Sequence, residues 1–258
     1  MLVLAGTSEA TDLAGRLDRA GVEVISSLAG VTATPRVRAG RARSGGFGGT
    51  AGLVGYLRNE RIDALVDATH PFAAVMPFHA ADACAYAGVA HCRLLRAPWV
   101  PEPGDRWTGA ADLVAAAAIL GRLEPRRVFL AIGRQSAPAF RRCRQHWFLA
   151  RSIEPLATPL ANCIEVRGRG PFEFDAEVAL LLEHRIDLVV TKNAGGVATV
   201  AKLAAARSLG LEVVMVERPA APVGVVEVAT DEEACRWVEA TVRGAGGGYI
   251  PTSPGPGL

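Results

Sequence analysis

Three stretches carry residue types at spacings that could do chemistry. In Leu65-Val66-Asp67-Ala68-Thr69-His70-Pro71-Phe72-Ala73, an apolar run ends in a carboxylate, a hydroxyl and an imidazole before a proline breaks the pattern. Such a run reads as a buried parallel strand. Its carboxyl end is where open α/β sheets bind ligands, so Asp67, Thr69 and His70 are expected at a ligand mouth. The stretch Leu188-Val189-Val190-Thr191-Lys192-Asn193-Ala194-Gly195-Gly196 has the same grammar, with an ammonium and an amide at the tip. The third is Gly6-Thr7-Ser8-Glu9-Ala10, between an opening apolar run and a helical one. Free backbone N–H groups there suit a phosphate. A plain cap by Thr7 or Ser8, with Glu9 complementing the helix dipole, reads equally well. This turn is not the dinucleotide fingerprint, since Thr7, Ser8 and Glu9 replace the further glycines of G-x-G-x-x-G.

Arginines gather twice, at Arg36, Arg38, Arg41 and Arg43 and again at Arg134, Arg141, Arg142 and Arg144. A solvated surface is one reading. The other is an anionic small molecule, because the guanidinium fork matches carboxylate and phosphate. Net charge is only +2, so no bulk attraction to nucleic acid or membrane is implied. The five cysteines form no C-x-x-C pair and fit neither a zinc site nor a disulfide framework. They read as reduced core fillers of a cytoplasmic protein. No charged leader precedes the first strand, and no apolar run reaches the length of a membrane span. A monomer or small homo-oligomer is expected.

The elements that must hold these tips alternate between strand and helix. Residues 1–5 and 22–28 read as strands around a helix over 8–20, a β-α-β opening that implies a parallel sheet. Four glycines surround Phe47 in Gly45-Gly46-Phe47-Gly48-Gly49, which points to close backbone approach or to a flexible loop. Further strands are expected over 62–67 and 89–95, and an alanine-rich helix over 108–123. After Glu124-Pro125-Arg126-Arg127 the grammar restarts, with Gly133-Arg134-Gln135-Ser136 in the place of Gly6-Thr7-Ser8. The expected division is 1–124, 125–243 and a flexible tail over 244–258, rich in Gly and Pro. The fold class is α/β, two Rossmann-like parallel-sheet domains with a ligand cleft between them.

Taken in order, these motifs resemble precorrin-6A reductase of cobalamin biosynthesis. The carriers are Gly6-Thr7-Ser8-Glu9-Ala10, Gly45-Gly46-Phe47-Gly48-Gly49 and Asp67-Ala68-Thr69-His70-Pro71-Phe72-Ala73. In the second half they are the run from Val128 to Gln135, Arg169-Gly170-Pro171-Phe172 with Glu177, Thr191-Lys192-Asn193-Ala194-Gly195-Gly196, and Val214-Met215-Val216-Glu217-Arg218-Pro219. The resemblance covers nearly the whole chain except the tail. It implies NADPH-dependent reduction of one double bond of the precorrin-6A macrocycle to give precorrin-6B, with no metal or flavin. The chain departs from the family pattern at Ala5, Val31 and Ala194. Val31 stands where the family has an arginine suited to the 2′-phosphate, which leaves Arg36, Arg38 or Arg43 to replace it.

With that reading, Gly6, Thr7, Ser8, Arg36, Arg38, Gly46, Phe47, Asp67 and Thr69 are expected to hold NADPH. Gly133, Arg134, Gln135, Asn193 and Gly195 are expected on the substrate side, facing a polycarboxylate. Lys192 and His70 are placed near the reducing step, His70 having a capping role before Pro71 as its plainer reading. Two rivals remain: the cobalt-bearing version of the same reaction, and a non-catalytic tetrapyrrole carrier.

Overall fold

The computed structural model describes residues 1–28 and 40–245 of the 258. The chain folds into two compact units, each built on a six-stranded parallel sheet. The first unit opens with β1 (Leu2–Ala5), α1 (Ser8–Arg19), β2 (Ile25–Leu28), β3 (Arg41–Ser44) and α2 (Gly49–Asn59). It continues through β4 (Ala64–Ala68), α3 (Met76–Ala87) and β5 (Ala90–Leu94). The second unit takes β6 (Arg106–Ala110), α4 (Leu113–Leu120), β7 (Arg127–Ala131), β8 (Trp147–Ser152) and β9 (Cys163–Arg167). It then adds α5 (Phe174–Glu183), β10 (Leu188–Lys192), α6 (Ala201–Ser208) and β11 (Glu212–Val216). The chain finally returns to the first unit with β12 (Val226–Val228) and α7 (Asp231–Ala245).

Strand order is β12-β5-β4-β1-β2-β3 in one sheet and β6-β11-β10-β7-β8-β9 in the other. The first is the doubly wound order 3-2-1-4-5-6 of a Rossmann fold; the second has the same layout except that its sixth position is taken by β6, which precedes the other five strands in the chain. The order reverses between β1 and β4 and between β7 and β10. Alternation on β1 explains why the first sheet is covered twice. Val3 points into a core with Leu13, Leu17, Val66 and Val238, and Leu2 and Leu4 point into another with Leu53, Leu57 and Leu65. In the second unit Phe129, Leu149, Val189, Leu203 and Met215 share one core.

The units divide differently from the expected 1–124 and 125–243. The first comprises Met1–Leu95 and Ala221–Leu258, the second Arg96–Ala220. Each sheet borrows its last strand: β6 pairs with β11, and β12 pairs with β5. The chain passes from one unit to the other beside Pro98 and again beside Pro219, not at Pro125. The helix expected over 108–123 is corrected for the same reason. Pairing with β11 holds residues 106–110 as a strand, and Asp112 caps the shorter α4 by accepting the Ala115 N–H at 2.7 Å. Of the tail expected over 244–258, Gly244 and Ala245 belong to α7, and the rest lies outside the described residues. Thr230 caps the start of α7: its Oγ1 accepts the Glu233 N–H, and the Glu233 carboxylate accepts the Thr230 N–H in return.

Candidate functional site

Around the carboxyl ends of β1 and β4, backbone and side chains interlock. Thr7 is the N-cap of α1; its Oγ1 accepts the Ala10 N–H and donates to the Ala68 carbonyl, both at 3.2 Å. The hydroxyl is therefore spent on the protein, as the capping reading expected. Ser8 donates to the Glu9 carboxylate at 3.0 Å. What the turn offers a ligand is its first backbone N–H groups, at the positive end of the 12-residue α1. A Cβ on Gly6 would lie 3.4 Å from the His70 backbone nitrogen, so the turn runs beside the segment that follows β4.

Asp67 is 1% exposed and organises the tip of β4. Its Oδ1 accepts the Thr69 N–H at 3.0 Å, and its Oδ2 lies 3.6 Å from Nε of buried Arg93 on β5. Arg93 in turn donates to Glu227 of β12 at 3.1 Å. Thr69 Oγ1 is buried with no hydrogen-bond partner among the described residues. His70 is exposed; its Nδ1 accepts the Phe72 N–H at 3.1 Å, so its ring proton sits on Nε2.

The four glycines of the run have open space where a Cβ would stand, and Gly45, Gly48 and Gly49 have positive φ, so the run is glycine for its backbone conformation and not for close approach. The close contact falls on the next glycine. A Cβ on Gly52 would lie 1.7 Å from the Phe47 carbonyl oxygen, so α2 can pass there only as glycine. Phe47 packs edge-on against Tyr56 at 5.2 Å, with the Arg43 guanidinium 3.9 Å over its ring. Gly46 gives its carbonyl to Arg43 at 3.0 Å. Arg36 and Arg38 lie outside the described residues.

In the second unit Lys192 ends β10, half-buried, and burial lowers its pKa from the ordinary lysine value. Asn193 spends its amide on Trp99: Oδ1 accepts the Trp99 N–H at 2.8 Å and Nδ2 donates to the Trp99 carbonyl at 3.1 Å. Gly195 has φ +68° and no room for a Cβ against the Ala97 carbonyl. Arg96 and Arg218 both donate to the Ala194 carbonyl. Asn193 and Gly195 thus shape the loop with their own polar groups engaged. Gly133, with φ +77°, and Gln135 are exposed beyond β7, and Arg134 is half-buried. A four-residue 3-10 turn, Ala137–Phe140, follows them in place of a long helix.

Sequence reasoning singled out Glu177 but neither of the cations Arg151 and Lys202. Arg151 and Glu177 form a two-pronged ion pair at 2.9 and 2.6 Å, with the guanidinium 4.0 Å over Phe172. Lys202 sits 4.4 Å over the Trp99 ring and donates to the Thr199 carbonyl, and burial lowers its pKa to about 7. A lysine among the alanines of Ala201-Lys202-Leu203-Ala204-Ala205-Ala206 was the available signal. Burial also lowers the pKa of His91, whose Nε2 has no partner, and lifts the thiols of Cys84 and Cys92 to about 12.

Residues 1–239 match the family described as Precorrin-6x reductase CbiJ/CobK. The chain is 47% identical to a protein of Rhodococcus erythropolis named Precorrin-6A reductase, over 94% of this chain and 98% of that one. It is also 47% identical to the Rhodobacter capsulatus protein of the same name, over 95% and 98%. A solved structure titled CobK precorrin-6A reductase superposes with a TM-score of 0.87 at 46% identity, covering 93% of this chain and 96% of that one.

Proposed function

Since the chain belongs to the precorrin-6x reductase family, we infer that it reduces one double bond of the precorrin-6A macrocycle to give precorrin-6B in cobalamin biosynthesis, with NADPH as reductant. The reaction is an oxidoreductase step on a tetrapyrrole, and relatives named for that substrate align over nearly their full length. NADPH would supply a hydride to one carbon of the double bond, and the neighbouring carbon takes a proton.

The observation that carries the cofactor assignment is an asymmetry between the units. Only the turn after β1 leads into a long helix; the equivalent turn after β7 leads into four residues of 3-10 turn. A pyrophosphate gains from aligned N–H groups and a helix dipole. In this reading the first unit takes the dinucleotide on Gly6 and the N–H groups behind Thr7 and Ser8. The unpartnered Thr69 hydroxyl is a further contact, and Asp67 holds it in place. Gly46 and Phe47 border the same carboxyl edge of the sheet.

The second unit takes the substrate. Gly133, Arg134 and Gln135 meet its carboxylates, and Asn193 and Gly195 keep the loop after β10 in shape. Lys192, partly dehydrated, offsets the charge that builds on the ring system as hydride arrives and is placed to hand over a proton. His70 contributes through Nε2, its Nδ1 being engaged by Phe72.

No helix among the described residues is long and apolar enough to cross a membrane. All five cysteines are free, which supports placement in the cytoplasm. Purified protein given precorrin-6A should consume NADPH mole for mole with macrocycle reduced, and NADH far more slowly. Tight binding of the tetrapyrrole without any consumption of a nicotinamide would establish the carrier instead.

A further inference from the structure

The second strand of a Rossmann unit ends where the adenosine ribose lies, and there an acid accepts the 2′-hydroxyl of NAD or an arginine meets the 2′-phosphate of NADP. β2 ends Ser26-Ser27-Leu28, and no aspartate or glutamate occurs anywhere between Glu23 and Glu60. A carboxylate able to claim a ribose hydroxyl and repel a phosphate is therefore missing from the whole edge formed by β2, β3 and α2.

An arginine is held there instead. Arg43 lies opposite Ser27 in the register of β2 and β3 and donates from Nη1 to the Ser27 hydroxyl at 2.7 Å. From Nη2 it donates to the Gly46 carbonyl at 3.0 Å. Its guanidinium lies 3.9 Å over the Phe47 ring and 5.1 Å from Tyr56. These partners are a hydroxyl, a carbonyl and two rings, and none is an anion. By contrast Arg41, two residues earlier on the same strand, is ion-paired with Glu60 at 3.0 Å. Two of five guanidinium N–H groups fix the orientation of Arg43, and the others remain for an acceptor. A planar cation with no counter-ion among the described residues, held by packing beside the end of β2, is preorganised for a dianion.

We propose that Arg43 reads the 2′-phosphate of the dinucleotide and so sets the preference for NADPH over NADH. The proposal rests on the reading that the first unit binds a nicotinamide dinucleotide. It also gives the glycine run a purpose: Gly46 and Phe47 position the arginine, and Gly52 lets the Phe47 backbone sit close enough to do so.

Binding can be measured without substrate, by titrating the full chain with NADPH, NADH, 2′,5′-ADP and 5′-ADP and following heat. Wild-type protein should bind 2′,5′-ADP more tightly than 5′-ADP. Arg43→Met should weaken NADPH and 2′,5′-ADP by roughly 10- to 100-fold, the loss of one or two charge-assisted bonds, and change NADH by less than about threefold. Arg43→Lys should recover part of the loss, and Ser27→Ala should weaken NADPH selectively but less. Equal weakening of NADPH and NADH by Arg43→Met, or none, overturns the proposal. So does a selective loss in Arg36→Met or Arg38→Met with none in Arg43→Met. Wild-type protein that binds neither dinucleotide removes the cofactor reading itself. Wild-type protein that binds both equally, unaffected by Arg43→Met, removes only the role of Arg43.

Discussion

Asp67 and Arg93 stand opposite one another across β4 and β5, both almost fully buried, with Oδ2 3.6 Å from Nε. The same carboxylate fixes the Thr69 N–H through its other oxygen. One side chain thus links the interior of the first sheet to the tip expected to touch the dinucleotide.

Asp67→Asn should uncouple these roles. The amide oxygen can still accept from Thr69, but its NH2 then faces the guanidinium, donor against donor, and Arg93 keeps only the half-exposed Glu227. Breaking a buried pair from one side costs about 3–5 kcal/mol. Urea unfolding should show a loss in or just below that range. The double variant Asp67→Leu with Arg93→Met should regain much of it. A loss under about 1 kcal/mol for Asp67→Asn would mean that the pair carries little energy.

Glu177 and Arg151 make a stronger version of the same test in the second unit, with two short bonds and a carboxylate 2% exposed. Glu177→Gln should destabilise by about 3–5 kcal/mol, leaving Arg151 dehydrated among Phe129 and Phe172. It should also depress the pKa of Lys202 further, because Glu177 is the group that supports its charge. The run Arg169-Gly170-Pro171-Phe172 with Glu177 is therefore a packing unit around Arg151.

Burial of Lys202 makes stability depend on pH with a definite sign. The unfolded chain keeps this proton up to a pKa near 10.5, whereas the folded chain releases it at about 7. Between these values the unfolded state binds the extra proton, so stability rises with pH, and below 7 the full penalty for burying the ammonium applies. Glu177 opposes the shift; Arg151 and Arg96 reinforce it. Lys202→Met removes the group. The stability of the variant relative to wild type should fall from pH 7 to pH 10, by something on the order of 4 kcal/mol. Parallel stability curves for the two proteins would sink this account.

Much of the architecture is legible in residue order, because buried parallel strands are apolar runs and their polar tips interrupt them. Asp67, Thr69 and Lys192 lie at strand ends for that reason. Long-range pairing is not legible. Residues 108–110 read as the start of an alanine-rich helix, and only the backbone of β11, about a hundred residues later, makes 106–110 a strand. Asn193 reads as a ligand contact because nothing near it in the chain uses an amide; Trp99, its partner on both sides, is 94 residues away. Arg43 was one of three arginines that could answer the loss at Val31. Its partners, Ser27 across the strand pair and Phe47 beyond a turn, separate it from Arg41 only once the register is known.

Lys192 gives the sharpest test of chemistry. It closes β10 at the switch point of its sheet, half-buried, and burial lowers its pKa from 10.5. If the ammonium offsets charge on the macrocycle or delivers the proton, turnover needs the protonated form. kcat should then fall as pH rises through that lowered pKa, the reverse of what a general base would give. Lys192→Met should lose this alkaline limb and reduce kcat by about 10²–10³-fold, the usual worth of one preorganised electrostatic group. NADPH affinity should stay within about threefold of wild type, because the reading assigns the dinucleotide to the first unit. Lys192→Arg should keep the charge, restore part of kcat if charge is what matters, and shift the limb beyond the measurable range. An unchanged alkaline limb in Lys192→Met would assign the titration to another group and leave Lys192 as a substrate-binding residue, seen then in KM instead of kcat.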